Sequence, residues 1–252
     1  MRYPPKSLAP EFLDAPGQDP VLFGGLLEAV RRTNRWYGGR SLILYYLARF
    51  ARLLPERPLT VLDVATASAD IPAAIAEWSR ASRVAVRVVA LDINLDILAA
   101  ARRTAAGRPE VTLIRGNAFA LPFSDRSVDV VICALALHHF SFDGAATVLR
   151  EINRVARGGF VVNDVLRSWP AYMGAIADTW LLSRNPLARH DGPLSVLRSF
   201  TWPEFHALVR AANLHGVEVR RHRMQRAALV RWPGGADRAP AKAGPETAWN
   251  RT

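Results

Sequence analysis

Between Leu59 and Val165 short apolar runs alternate with stretches of helical spacing, and this alternation narrows the fold more than any other feature of the chain. Leu59–Val64, Val84–Leu91, Val111–Arg115, Val128–Ala134 and Phe160–Val165 lack the every-other-residue polarity of a half-exposed strand. Between them, Ile71–Arg80, Leu95–Ala106 and Ala145–Val155 repeat apolar side chains at three- and four-residue intervals, the period of one helix face. Strands that are apolar on both faces and joined through helices make a parallel sheet covered on both sides. The expectation is an α/β fold.

The flanks add helices and a hairpin. Val21–Arg35 puts Leu22, Leu26, Leu27 and Val30 on one face, and Gly38-Gly39 breaks the pattern. Ser41 is positioned to cap a second helix that ends before Pro55 and Pro58. Beyond Val165 the pattern predicts a helix over Ala171–Leu182, a loop over Leu187–Phe200 and a helix from Thr201 to about Ala212. Thr201 and Glu204 have capping-box spacing, and Pro203 sits in the first turn, where its missing N–H is harmless. Val217–Arg221 and Met224–Val230 are close enough to pair as an antiparallel hairpin. Residues 1–20, rich in Pro and polar groups, read as a segment extended over the surface. From Pro233 onward, Pro, Gly, Ala and charge read as disorder.

At 252 residues, half of them apolar, the chain has material for one full core. The formal charge of +11 is almost wholly arginine, since Lys6 and Lys242 are the only lysines. The arginines lie in short scattered clusters such as Arg102-Arg103 and Arg220-Arg221, so stable nucleic acid binding is not expected. Cys133 is the single cysteine; no intrachain disulfide can form, which fits a reducing compartment. No run approaches the ~20 apolar residues of a membrane span. Met1–Lys6 lacks the apolar core of a signal peptide. A soluble, cytoplasmic protein is the expectation.

The residues that carry chemistry stand at the C-terminal ends of the strands, where α/β sheets bind ligands. The first strand runs into Asp63-Val64-Ala65-Thr66-Ala67-Ser68-Ala69-Asp70, a turn of small residues ahead of a helix N-terminus. Such a turn lets a ligand approach the backbone; alanine stands wherever glycine is expected. The second strand ends in Asp92-Ile93, and a carboxylate there can accept from both hydroxyls of a ribose, the plainer alternative being a helix cap. The third leads into Gly116-Asn117-Ala118-Phe119, then Leu121-Pro122-Phe123 and Ser127-Val128-Asp129-Val130-Val131.

Taken together and in this order, these residues resemble the class I S-adenosylmethionine-dependent methyltransferases. They are most similar to the ubiquinone/menaquinone-biosynthesis-like branch, in which the first motif often begins Asp-Val-Ala-Thr and strand four is often followed by a pair like His138-His139. The resemblance spans about residues 20–230 and implies a Rossmann-like, seven-stranded, mostly parallel sheet with helices on both faces and a C-terminal antiparallel hairpin. It implies an N-terminal extension with lid helices over 1–57, a methyltransferase domain over 58–232 with a substrate-lid insertion at about 166–200, and a tail over 233–252. The cofactor it implies is S-adenosyl-L-methionine. Ala65, Thr66 and Ala67 would line its methionine and ribose, Asp92 would hold the ribose hydroxyls with Asp63 and Ile93 beside them, and Asn117, Ala118 and Phe119 would surround the adenine. The chain departs from the pattern at Ala67, where a central glycine is usual, and at Asn117, where aspartate is usual.

The acceptor side is sought after strands four and five. His138 and His139 are there, with Asp164 as an orienting group, and His190-Asp191 follows. Near its ordinary pKa of ~6.5 a histidine can take a proton from a phenol or an activated carbon. His139, His138 and His190 are therefore the catalytic candidates, with a structural hydrogen bond the plainer role for each. No metal is expected, because the spacing of His138, His139, His190 and Asp191 matches no zinc signature. Trp36, Tyr37, Trp169, Tyr172, Met173 and Trp180 are expected to line the site, unless they are plain core packing; such a lining suits a small hydrophobic or aromatic molecule. The function expected is methyl transfer to such an acceptor. Two other functions stay open: a non-catalytic relative acting as a binding partner, to which Ala67 and Asn117 point, and, less favoured, a nicotinamide oxidoreductase. The latter expects a Gly-x-Gly-x-x-Gly turn with an acid ~20 residues further on, which this chain lacks.

Overall fold

The computed structural model describes residues 2–54 and 58–234. Its strands are β1 (Leu59–Val64), β2 (Val86–Asp92), β3 (Val111–Arg115), β4 (Val128–Ala134), β5 (Ala156–Val165), β6 (Val217–His222) and β7 (Arg226–Arg231). They form one seven-stranded sheet in the order β3-β2-β1-β4-β5-β7-β6. The first five run parallel, and β7 lies antiparallel between β5 and β6. The winding reverses between β1 and β4, so a crevice opens at their C-terminal ends.

The helices are α1 (Pro20–Trp36), α2 (Gly39–Leu53), α3 (Asp70–Ser82), α4 (Leu95–Ala105), α5 (Phe142–Val155), α6 (Trp169–Leu182), α7 (Pro186–Arg198) and α8 (Trp202–Ala211). The central strands are apolar throughout because both of their faces are covered. On one face, Leu149 and Ile152 of α5 and Phe205 and Leu208 of α8 belong to the same core as Leu62, Val131 and Phe160. On the other, Ile43, Leu47 and Phe50 of α2 and Ile75 of α3 pack with Val61, Val88 and Val130. Each such side chain contributes roughly 1.5–3 kcal/mol on burial. A third cluster joins Phe23, Leu26 and Leu27 of α1 to Ile97 of α4 and Leu187 of α7, and it roofs the C-terminal edge of the sheet.

Four local readings of the sequence are corrected. The loop expected over Leu187–Phe200 is instead mostly helix α7. Asn185 caps it, accepting from the Ala188 N–H at 3.1 Å, and Pro186 occupies the first turn. Gly192-Pro193 reads as a breaker, yet Pro193 removes only one backbone bond. Gly192 lets α6 pack closely, since a Cβ there would fall 2.5 Å from Thr179 Cγ2. Ser41 does not cap α2: the cap is Gly38, at φ 79°, and the Ser41 hydroxyl donates back to its carbonyl. β5 begins at Ala156 rather than Phe160. Gly159 (φ 149°) is needed there for close approach, for a Cβ would fall 2.0 Å from the Arg231 carbonyl oxygen of β7.

The fourth correction concerns the N-terminal segment, which is tied down rather than draped. The buried Arg167 guanidinium donates to the Pro4 carbonyl at 2.7 Å. The N–H groups of Phe12 and Leu13 both donate to the Asp191 carboxylate at 3.0 Å, shaping a short turn over Phe12–Asp14 and burying Glu11. Apart from Pro233 and Gly234, the tail expected to be disordered lies outside the described residues. Among the described residues no helix is long and apolar enough to cross a membrane.

Candidate functional site

The turn after β1 holds Ala65, Ala67 and Ala69 at φ 56°, 48° and 56°. Left-handed backbone costs an alanine roughly 1–2 kcal/mol, and strain of this kind persists where the surroundings over-determine it. Part of that determination is Asp92 at the end of β2. One of its oxygens accepts from the Ala67 N–H at 3.1 Å and the other from the Asn94 N–H at 3.0 Å. Asp63 accepts from the Thr66 hydroxyl at 2.6 Å, and Asp70, opening α3, accepts from Asn34 Nδ2 at 3.2 Å. Burial raises Asp63 to about 8, and the charges of Asp70 and Asp92 push the same way against the Thr66 hydrogen bond. Burial likewise raises Asp70 to about 6, and raises Asp92 despite its backbone donors. Three crowded, desolvated carboxylates suit a cationic ligand.

Asp63, Ala65, Thr66, Ala67, Asp92 and Ile93 line one cavity of about 500 Å³, walled also by α1, α6 and α7. That volume lies in the range of small-molecule sites. Its other end is built on the segment after β4, where Leu135 stands at φ 52° ahead of a short turn, Leu137–His139. The Asp164 carboxylate accepts from the His138 backbone N–H at 3.0 Å and from the His138 ring Nδ1 at 2.8 Å. Burial would raise Asp164, but the hydrogen bonds and charge of His138 outweigh it and lower its pKa. An ionised Asp164 can only accept, so Nδ1 carries a proton, and Nε2 is left toward Glu11 Oε1 at 3.7 Å. His139 is held in the same way, its Nδ1 donating to Asp14 at 2.9 Å. Burial disfavours a charged His139 ring, but the Asp14 hydrogen bond and the charges of Glu11 and Asp14 raise it to about 9. At neutral pH the ring is therefore held as a cation and a donor. Glu11 completes the group, 2% exposed, with Oε1 lacking a hydrogen-bond partner.

Other expected members lie elsewhere. His190 is off the cavity, on the outer side of α7, with Nδ1 against Asp191 and its ring against Phe12, while Ala188, Asp191 and Ser195 face inward. Asn117, Ala118 and Phe119 do not line the cavity. The Asn117 side chain accepts from the Phe119 N–H within its own turn, and Phe119 packs edge-on against Phe140. The aromatic lining is also corrected. Trp36, Trp169, Met173 and Trp180 are 58%, 42%, 57% and 62% exposed, and Tyr172 packs against Trp169; of that group only Tyr37 reaches the cavity. α6 presents Pro170, Ala171, Gly174 and Ala175 inward instead.

Sequence reasoning missed Glu11, Asp14, Asn34, Asp178 and Arg226, all lining residues. Asp178 was legible as the lone acid of an apolar helix: it accepts from the Tyr37 hydroxyl at 2.7 Å and pairs with Arg32 at 2.9 Å, tying α6 to α1. Buried Arg226 donates to the Tyr37 carbonyl at 2.6 Å, and burial lowers its pKa to about 10. Nothing local in the sequence marks Glu11 or Asp14.

Residues 62–162 match the family model described as a methyltransferase domain. The chain is 29% identical over 246 residues to a demethylmenaquinone methyltransferase of Clavibacter sepedonicus, covering 92% of this chain and 96% of that one. It is 37% identical over 107 residues to a ubiquinone/menaquinone biosynthesis C-methyltransferase of Bradyrhizobium diazoefficiens, a match spanning 41% of this chain and 40% of the relative. The solved structure of an S-adenosylmethionine-dependent methyltransferase from Aquifex aeolicus superposes with a TM-score of 0.57 at 16% identity, over 85% of this chain and 98% of that one. At that identity the likeness is one of fold.

Proposed function

We infer that this chain, a class I S-adenosylmethionine-dependent methyltransferase, methylates a small hydrophobic acceptor of the quinol type. The observation that carries this reading is a single cavity with two chemically different ends: the carboxylates Asp63, Asp70 and Asp92 at one, and Glu11, His138 and His139 at the other. The near full-length likeness to a demethylmenaquinone methyltransferase supports the acceptor class.

The cofactor end fits its group. S-adenosylmethionine carries a sulfonium and an ammonium, and when bound it supplies an electrophilic methyl group. Asp92 retains lone pairs beyond its two backbone donors for the ribose hydroxyls. The ligand's positive charge draws Asp63 and Asp70, both raised by burial, into their ionised forms and is met by them, and Ala65, Thr66 and Ala67 keep the backbone within reach. At the acceptor end the apolar walls Leu26, Val30 and Val196 receive a ring, and its hydroxyl is directed at the Glu11–His138–His139 group. The protein's work is then chiefly alignment and exclusion of water, which can be worth about 7–11 kcal/mol of a barrier. Buried Cys133, the only cysteine, fits a cytoplasmic setting.

The test incubates the full chain with radiolabelled S-adenosylmethionine and a short-chain naphthoquinol, and reads label and mass gain in the extracted product. Methylation of the naphthoquinol, and not of an aliphatic alcohol, is expected. Cofactor binding without transfer to any quinol refutes the acceptor class; no cofactor binding favours a non-catalytic relative.

A further inference from the structure

The group at the acceptor end has an arrangement that hydrogen bonding alone leaves unused. His138 Nε2 lies 3.7 Å from Glu11 Oε1, and His139 Nε2 lies 3.9 Å from Glu11 Oε2. One ligand atom from each of the three residues falls within 4.8 Å of the other two. The two rings lie side by side, centroids 4.4 Å apart and tilted by 33°, so their Nε2 edges face the same carboxylate. Both Nδ1 atoms are taken by carboxylates, Asp164 at 2.8 Å and Asp14 at 2.9 Å. That is how metal-bound histidines are oriented: a carboxylate fixes the tautomer, raises the basicity of the ring and leaves Nε2 for the ion.

Charge and burial argue the same way. Glu11, Asp14 and Asp164 bring three carboxylates to this corner against the one guanidinium of Arg198, whose Nε lies 3.4 Å from Glu11 Oε1. Glu11 is 98% buried by its 2% exposure, Oε1 has no hydrogen-bond partner, and Oε2 accepts only from the Ser195 hydroxyl at 2.9 Å. Arg198 and His139 offset part of that charge, but a buried carboxylate oxygen with no hydrogen bond is costly, and a cation bound directly to it relieves that cost.

We propose that Glu11, His138 and His139 form a site for a divalent transition ion such as zinc, whose open position receives the hydroxyl oxygen of the acceptor. The inference rests on the quinol-type reading for that last step only. Tetrahedral coordination with bonds near 2.1 Å separates ligand atoms by ~3.4 Å; the two histidines lie 3.7 and 3.9 Å from the two oxygens of Glu11, and one atom from each of the three residues lies within 4.8 Å of the others, so side-chain rotation of about an ångström closes the set on an ion. Three protein ligands with a fourth position open is the pattern of catalytic rather than structural zinc. All three ligands line the cavity, so that position opens into the acceptor space. The entering ion displaces the Nε2 proton of His139 to solvent; acceptor binding then forms a metal–oxygen bond, breaks the O–H bond and releases a second proton, and nothing is oxidised or reduced. The resulting oxyanion makes the ring carbon beside it a better nucleophile.

The test titrates the untagged, chelator-stripped full chain with cobalt(II), read by visible absorption, and with zinc, read by elemental analysis after desalting. One ion per chain and the intense bands of four-coordinate cobalt are expected. Glu11→Gln should abolish both. Asp164→Asn, which leaves every ligand in place, should weaken binding about 10–100-fold. Cobalt that keeps the pale spectrum of the hydrated ion, or binding unchanged in both Glu11→Gln and His139→Gln, overturns the site. A parallel S-adenosylmethionine titration of each variant checks its folding. It also separates the outcomes, because cofactor binding without metal binding refutes this site and leaves the methyltransferase untouched.

Discussion

The backbone N–H of Ala67 donates to the Asp92 carboxylate at 3.1 Å, which makes the turn after β1 and the tip of β2 one unit. Asp92 therefore shapes the cofactor end as well as offering it an acceptor. Asp92→Ala removes both roles. A hydrogen bond involving a charged group is worth about 1.5–3 kcal/mol, so S-adenosylmethionine affinity should fall roughly ten- to over a hundredfold by calorimetry. Asp92→Asn should weaken binding too, because an amide NH₂ then faces the N–H of either Ala67 or Asn94. Parent-like affinity in Asp92→Ala would remove the cofactor from this end of the cavity.

Ala67→Gly should raise both stability and cofactor affinity. At φ 48° the alanine carries the left-handed penalty of roughly 1–2 kcal/mol, which glycine lacks. Against this, glycine loosens the unfolded chain by ~0.4–1 kcal/mol. The net gain lies between about 0 and 1.6 kcal/mol, and each kcal/mol corresponds to a melting point higher by roughly 2–4 °C. The lost methyl group also widens the turn where the ligand approaches. A variant that melts lower while binding no better would mean that the surrounding contacts favour alanine.

The frame of this fold is written in local pattern, whereas much of the site is written in contacts between distant segments. Buried parallel strands announce themselves as unbroken apolar runs, and Thr201 with Glu204 announces a cap; all five strands are found, with the ends of β2 and β5 shifted, and the capping box is found as read. That Asp63, Ala65, Thr66, Ala67 and Asp92 share one cavity was legible for the same reason, since they are fixed by their places at strand ends. Glu11 and Asp14 were not legible. They meet His138 and His139 only because Asp191, on a helix that the Gly-Pro pair disguised as a loop, folds the N-terminal segment over the crevice. Periodicity likewise gave helix α6 but not which way its tryptophans face.

His190 and His138 should separate cleanly in kinetics. His190 packs on Phe12 outside the cavity, so His190→Ala should change turnover and cofactor affinity by no more than about twofold, as surface substitutions do. His138 is buried, oriented by Asp164 and faces the acceptor space. His138→Gln should lower turnover by ~10²–10⁴-fold with little change in cofactor affinity. Single-turnover methyl transfer to the naphthoquinol reads the first quantity and calorimetry the second. Equal rates in His138→Gln and the parent would take that ring out of the reaction.

The crowded carboxylates predict how stability changes with pH. Asp63 and Asp70 are raised from an ordinary 3.8 to about 8 and about 6 in the folded chain, chiefly by burial. Between pH ~4 and those values the folded state holds protons that the unfolded state has already released, so stability falls as pH rises. The Asp70 contribution is spent by about pH 6 and that of Asp63 by about pH 8. His139, raised from 6.5 to about 9, adds a loss of the same sign between those values. The carboxylates with lowered pKa, among them Asp14, Asp129 and Asp164, act oppositely, but only below the ordinary carboxylate range. The melting point of the cofactor-free, chelator-treated protein should therefore drop steadily from pH 6 to pH 9. Asp63→Asn keeps an oxygen for the Thr66 hydroxyl and should flatten the part up to pH 8, while His139→Gln should flatten the part above it. A cationic cofactor favours the ionised carboxylates, so the rise in melting point given by S-adenosylmethionine should grow over the same window. A profile that is flat in the parent, or unchanged by Asp63→Asn, would show that these carboxylates are solvated and would remove the electrostatic case for a cation beside them.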